Sequence, residues 1–364
     1  MKVLLLSAYD AMSHRYWRTG LVNHFPDIQW TVLSLPPRYF SWRVRGNSLS
    51  WGFGERTLLA QHYDALIVTS MVDLSALRGF VPELARIPTA VYFHENQFVY
   101  PQSNEQLENQ GNLLEAQVLS LYSALCADML VFNSHYNKNT FIAGAKALLK
   151  KLPDAVPGGL LEQISQNSCV IPVPLRDLSS SPKNKTPERL QLVWNHRWEY
   201  DKNPLGLFEF LLSLPANLSI TCHIVGQQFR NSPEIFNKIK ALLKERGWEG
   251  CWGFIENEAQ YLDLLTRSDM VLSTAHHDFQ GIAVLEAVAA GCVPLVPNRL
   301  AYPELFPEEF CYDDASLTER FLAFYEALLD GKCKIPSVEN LAWRELKEDY
   351  RRLLNTLNQQ NDAD

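Results

Sequence analysis

The sequence predicts an α/β fold made of two doubly wound, Rossmann-like domains facing a cleft. Three observations carry this prediction. Short continuous apolar runs recur along the chain, as in parallel strands covered by helices on both faces. Helical patterns alternate with them. A polar, proline-containing stretch without apolar period, VPLRDLSSSPKNKTPERL from Val173 to Leu190, divides the series into two halves. A chain of 364 residues also exceeds one typical core and suits two.

In the first half, residues 1–172, strands are predicted at Val3–Leu6, Trp30–Leu33, Ala65–Thr69, Ala90–Phe93, Met129–Phe132 and Cys169–Ile171. Helical patterns lie between them, including Asn112–Leu125 and Ser134–Lys150. In the second half, residues 173–336, the strands are Leu190–Trp194, Ile220–Val225, Cys251–Phe254, Met270–Ser273 and Val293–Val296. Its helices are Pro204–Leu214, Glu234–Arg246, Glu258–Arg267 and Ile282–Ala290. The amphipathic segment Asn340–Asn355, within a tail of residues 337–364, is expected to pack back on the first domain. The sequence has no internal repeat.

Composition excludes several classes. The longest apolar runs fall well short of the roughly 20 residues of a membrane span, so none is predicted. The start, MKVLLLSAYD, has only a short apolar run before Ser7 and reads as a buried first strand, not a secretory signal. The seven cysteines are scattered, odd in number and form no CxxC pair. That argues against disulfides or a zinc site and for a reducing cytoplasm. With a net charge of −8 the protein is not a generic polyanion binder, and a nucleic-acid partner needs a local basic patch. RYFSWRVR, Arg38 to Arg45, interleaves arginines with Tyr39, Phe40 and Trp42 and suits a base or ring ligand. YNKNTFIAGAKALLKK, Tyr136 to Lys151, puts four lysines on a helix and reads as a solvated face.

The stretch HHDFQGIAVLEAVAAGCVPLV, His276 to Val296, carries two acids, Asp278 and Glu286, the second inside an apolar helix. Gly281 precedes that helix and Gly291 ends it in the left-handed stop position. The helix opens at the carboxyl end of the strand Met270–Ser273, the edge where doubly wound sheets bind ligands. Its first turn offers free N–H groups, with the amides of Gly281 and Ile282 expected on the sugar and its phosphate, and Gly281 lets a ligand approach the backbone. A buried carboxylate at Glu286 requires donors, and vicinal ribose hydroxyls would supply two. Asp278 can accept from sugar hydroxyls.

The order strand, Asp278, Gly281, Glu286 and strand resembles the E-x7-E motif of retaining GT-B glycosyltransferases, which use nucleotide sugars; the first Glu is Asp here. NHRWEYDKNP, Asn195 to Pro204, looks like the family's Arg…Lys phosphate clamp, with Arg197 and Lys202 matching the two cations. A diphosphate leaving group gathers negative charge as the glycosidic bond breaks, which two fixed cations stabilise. HIVGQQF, His223 to Phe229, resembles the family's strand-to-glycine turn, and the base is expected near Phe254 and Ile255. The usual Gly-Gly loop after the first strand is replaced by SAYDAMSHRYW, where Ser13 or Arg15 would contact the phosphate instead.

Three strings narrow the resemblance. HENQ…YP from His94, LPPRYFSWRVRGN and FNSHYN are similar to one branch, the tRNA-queuosine α-mannosyltransferases and their bacterial relatives. The resemblance implies GDP-mannose as donor, the cyclopentene ring of queuosine in tRNA as acceptor, a retaining reaction without metal or resident cofactor, and no stable protein partner. His94 would contact the sugar. Arg38, Trp42, Arg43, Arg45, Glu95 and Asn96 would serve the acceptor. A nucleotide-sugar epimerase of the same architecture and a non-catalytic sugar- or RNA-binding module are the alternatives. The latter has no need of Arg197, Lys202 and Glu286 together.

Overall fold

The computed structural model describes residues 1–99, 110–153, 156–177, 187–229 and 233–361. The middle of the expected linker, 178–186, and the YP end of the HENQ string, 100–101, lie outside the described residues. The chain forms two compact units, Met1–Pro174 with Trp343–Asp364, and Leu175–Ala342.

The first unit holds six parallel strands: β1 Lys2–Ser7, β2 Gln29–Ser34, β3 Ala65–Thr69, β4 Thr89–Phe93, β5 Met129–Phe132 and β6 Ser168–Val170. Their order is β2-β1-β3-β4-β5-β6. β3 and β4 are buried along their whole length, which is why they read as unbroken apolar runs. β2 lies at the sheet edge and is only half-buried, so covering on both faces does not extend to it. The last helix, Trp343–Asn361, belongs to this unit. Its Trp343 ring stacks on His24 at 4.2 Å, and Arg351 grips Asp27 through bonds of 2.6 and 2.9 Å. The arginine–aromatic string runs into a helix, Phe40–Gly54.

The second unit holds β7 Leu190–Trp194, β8 Ile220–Val225, β9 Glu249–Gly253, β10 Met270–Leu272, β11 Val293–Pro297 and β12 Cys311–Tyr312. The order is β12-β11-β10-β7-β8-β9, again parallel. Leu192 and Trp194 pack into one core layer while Val193 packs into the other, as the period of a strand requires. β9 ends at Gly253, so Phe254 stands in the loop beyond it, 46% exposed. The two-residue β12 is too short to mark itself in the sequence.

Candidate active site

In the second unit the strand order reverses between β7 and β10. A crevice outside the carboxyl ends of two such strands is the binding place of open α/β sheets. The loop after β7 carries Arg197 and Lys202; the loop after β10 carries Asp278 and Gly281. The two loops are stitched together. The Asp201 carbonyl accepts from the amides of His276 and His277 at 2.9 and 3.2 Å, and Thr274 Oγ1 donates to the Lys202 carbonyl at 2.8 Å. Gly226, at φ +150°, closes the turn after β8 against this segment; a Cβ there would lie 1.8 Å from the His196 carbonyl. Asn203 adopts the left-handed conformation and caps the helix Pro204–Ser213 through the Gly206 amide, fixing where Lys202 leaves the turn.

Lys202 is buried. Its ammonium donates to the His277 carbonyl at 2.6 Å and lies 3.3 Å from each of Asp278 Oδ2 and Asp201 Oδ2. Arg197 lies 3.3 Å from Asp201 and also pairs with Glu199, yet its side chain stays 42% exposed, the accessible cation of this cluster. Asp278 Oδ1 accepts from the Gly281 amide at 2.8 Å, and Tyr302 donates to Oδ2 at 3.4 Å. Burial works against the Asp278 carboxylate, but the Lys202 charge and the Gly281 amide help to hold it down at about 2. Burial, then the Lys202 charge, pushes His196 to about 3 and His277 to about 4. Both are neutral rings at physiological pH.

Glu286 sits in the helix Ile282–Ala289 and is buried. Arg176 approaches Oε1 at 3.3 Å and the Tyr261 hydroxyl donates to Oε2 at 3.5 Å. Burial raises its pKa above the ordinary value, opposed by Arg176. These long contacts leave the carboxylate with acceptor capacity. Asn195 Nδ2 donates to Tyr261 Oη at 3.0 Å and to the Ala283 carbonyl at 2.7 Å, tying β7 to the helix that bears the acid.

In the first unit, His94 follows β4 and His14 lies in the first turn of the helix Met12–His24. Their rings stack at 4.1 Å. Trp17 and Tyr92 complete the walls around His94, at 5.0 and 4.7 Å.

Residues 2–175 match the family described as tRNA-queuosine alpha-mannosyltransferase N-terminal, and residues 176–320 match Glycosyl transferases group 1. A tRNA-queuosine alpha-mannosyltransferase of Drosophila melanogaster is 32% identical over 350 residues, covering 92% of this chain and 88% of that protein. This chain belongs to that family. It is a glycosyltransferase. Among solved structures, Anabaena Alr3699/HepE in complex with UDP matches with a TM-score of 0.65 at 14% identity, over 98% of this chain and 100% of that one. An alpha,alpha-trehalose-phosphate synthase from Burkholderia vietnamiensis matches with a TM-score of 0.64 at 12% identity, over 100% of this chain and 98% of that one. These likenesses give the fold, GT-B.

Within this glycosyltransferase the expected site residues separate into groups. Arg197, Lys202, Asp278 and Gly281 meet around the loops after β7 and β10, and Glu286 lies one turn along the helix that begins at Ile282. Several expectations need correction. The Gly281 amide is spent on Asp278, so it is not free for phosphate, and Ile282 opens the helix beyond it. Asn96 is fully buried, its carboxamide donating to Asn137 Oδ1 at 2.9 Å and accepting from the Phe98 amide at 3.0 Å, so it shapes the loop instead of meeting an acceptor. Arg43 turns inward from the helix Phe40–Gly54, while Arg38 and Trp42 are exposed. Arg45 is half-exposed but paired with Asp73 at 3.0 Å and Glu115 at 2.8 Å. Ser13 and Arg15 occupy a helical first turn, not a loop, and Arg15 lies 3.3 Å from Asp10.

Four site residues carry no sequence signal of their own. Arg176 lies in the polar stretch between the halves, Tyr261 on a surface helix, and Asp201 and His196 among the clamp residues. Only the contacts with Glu286, Asp278 and Lys202 mark them. Among the described residues, no helix is long and apolar enough to cross a membrane.

Proposed function

We propose that this enzyme moves a mannosyl residue from GDP-mannose to the cyclopentene ring of queuosine in tRNA, with retention of anomeric configuration. The observation that carries the reading is the match, over 92% of the chain, to a protein named for that activity. The geometry of the second unit supports a nucleotide-sugar donor. The exposed Arg197, backed by the buried Lys202, counters the charge that gathers on the diphosphate as the bond to the sugar breaks. Asp278, ionised at neutral pH, accepts from sugar hydroxyls. Glu286 accepts from the ribose, and Phe254 offers its exposed ring to the base.

The chemistry needs one bond broken and one made on the same face. The anomeric carbon leaves the diphosphate oxygen and joins the acceptor hydroxyl oxygen, whose proton passes to the leaving phosphate. His94 meets the reacting sugar. Arg38 and Trp42 on the first unit suit the phosphates and bases of an RNA loop.

The test supplies radiolabelled GDP-mannose with two tRNA pools, one containing queuosine and one lacking it. Acid-precipitable label in the queuosine pool alone is the expected outcome. Label in neither pool, with UDP- and ADP-sugars also silent, would overturn both donor and acceptor while leaving the family intact.

A further inference from the structure

Arg43 turns inward from the helix Phe40–Gly54 and finds no partner there. Its residue is 9% exposed, yet among the described residues its guanidinium makes no hydrogen bond and no ion pair. Nε is sealed from solvent without an acceptor, whereas the two terminal nitrogens reach the surface. The acids around this helix are already engaged. Arg45 lies 3.0 Å from Asp73 and 2.8 Å from Glu115, and Arg18 and Arg15 lie 2.7 and 3.3 Å from Asp10. An arginine is charged at any physiological pH. A guanidinium whose stem is buried and whose fork meets no acceptor is costly, and an arriving anion removes that cost.

The start of the same helix has the character of an anion site. Tyr39 supplies no side-chain cap, the first turn holds no acid, and the amides of Phe40 and Ser41 have no acceptor among the described residues. Arg43 follows within one turn, and long helical side chains lean back toward the N-terminus of their helix. Free amides, the positive end of the helix dipole and a fork of N–H donors are thus brought together. This end of the helix sits at the ligand edge of the first sheet. Phe40 meets Tyr9, in the loop after β1, edge-on at 5.8 Å, and Asn47 donates to the Met71 carbonyl, in the loop after β3, at 3.1 Å.

Two exposed rings, Tyr39 and Trp42, flank the same turn. Gly46 makes room for the second: a Cβ there would lie 2.2 Å from the Trp42 ring, so the indole rests against the helix. We infer that Arg43 and the first turn of the helix Phe40–Gly54 form a phosphate site, which takes a backbone phosphate of the RNA acceptor while Tyr39 and Trp42 stack on the bases beside it. A phosphate has oxygens enough for the guanidinium fork and the free amides together. Rings on either side of the anion suit a nucleotide chain, in which each phosphate stands between two bases. Arg38, exposed beside Tyr39, adds charge at the rim. The inference rests on the reading that tRNA is the acceptor.

The test uses the full chain as wild type, Arg43→Gln and Arg43→Lys. Queuosine-containing tRNA is titrated at several salt concentrations, donor kinetics are followed with GDP-mannose, and melting is recorded alone, with tRNA and with inorganic phosphate. Arg43→Gln is expected to weaken tRNA binding about tenfold at low salt and to reduce the salt slope by about one, with KM for the donor nearly unchanged. Its Tm without RNA does not fall, because the lost charge has no partner within the protein. Arg43→Lys keeps the slope but lacks the planar fork, so it recovers only part of the affinity. Unchanged slope and affinity in Arg43→Gln, with tRNA bound by both proteins, overturn the inference and leave the acceptor reading standing. A Tm well below wild type with an unmoved slope marks a structural arginine and overturns it as well. Inorganic phosphate that raises the Tm of wild type but not of Arg43→Gln, while tRNA binds both alike, overturns RNA as the source of the phosphate. Wild type that binds no tRNA, with or without queuosine, overturns the acceptor reading and this inference with it. Where Arg43→Gln fails to fold, Arg43→Lys decides, since undiminished affinity there would exclude the fork contact.

Discussion

Lys202 Nζ lies 3.3 Å from the Asp278 carboxylate, across 76 positions of sequence. The two belong to the loops after β7 and β10, the strands between which the sheet reverses its order. The same ammonium lies 3.3 Å from Asp201, so one buried cation serves two carboxylates. Lys202→Met leaves both acids without it. Breaking a buried pair in this way costs on the order of 3 kcal/mol of stability, and kcat/KM falls by at least about tenfold, near 1.4 kcal/mol. Calorimetry and donor-saturation kinetics check the two effects. Near-normal kinetics in a folded variant would remove Lys202 from the clamp.

Asp278 titrates at about 2 in the folded chain against an ordinary 3.8. A lowered folded pKa means that its stabilising contribution is present above about 4 and is lost as pH falls through about 2. The shift corresponds to about 2 kcal/mol for this largely buried group. The Tm gap between wild type and Asp278→Asn is therefore constant from neutrality to about pH 4 and narrows below it. A gap independent of pH would show that the carboxylate is not held by its charge partners.

Much of the fold was legible, for physical reasons visible in single elements. β3, β5, β7 and β8 run as the apolar stretches suggest, because strands covered on both faces are apolar at most positions, Gln191, Thr221 and His223 being the exceptions in β7 and β8. The acid in the helix Ile282–Ala289 announced its need of polar partners, because an unpaired carboxylate is costly among Val, Leu and Ala, and Arg176 and Tyr261 meet it. The helix Phe40–Gly54 did not announce itself. Trp42, Leu49 and Phe53 stay exposed while Val44 and Trp51 are buried, so its apolar residues mark no single buried stripe. The partners of the site acids were equally hidden. Arg176 meets Glu286 and His14 meets Glu95 only through the tertiary fold, with no local period connecting them.

Arg176 is the nearest positive charge to Glu286 and opposes the burial that raises its pKa. Arg176→Ala removes that charge and leaves the Tyr261 hydroxyl beside the carboxylate, so the Glu286 pKa rises further. Donor binding that needs the ionised carboxylate then weakens at a higher pH than in wild type. KM for the donor measured across pH reads the displacement directly. An unmoved profile would mean that Glu286 does not bind the donor in its charged form.

Arg38 and Arg45 lie close in sequence but stand in different electrostatic settings. Arg38 is exposed beside the Tyr39 ring, 5.6 Å from its centroid. Arg45 is shared between Glu115 and the buried Asp73, whose carboxylate also caps the helix Leu74–Phe80. A phosphate contact by a charge without a fixed partner releases counterions, whereas one already balanced by two carboxylates contributes little. Arg38→Ala is expected to reduce the salt slope of tRNA binding by about one. Arg45→Ala leaves that slope nearly unchanged and instead lowers stability by about 1 kcal/mol, because Asp73 keeps its burial and loses its cation. Binding titrations at several salt concentrations, with a melting curve for each variant, separate the two. Equal slopes for wild type and Arg38→Ala would move the RNA-binding face elsewhere on the first unit.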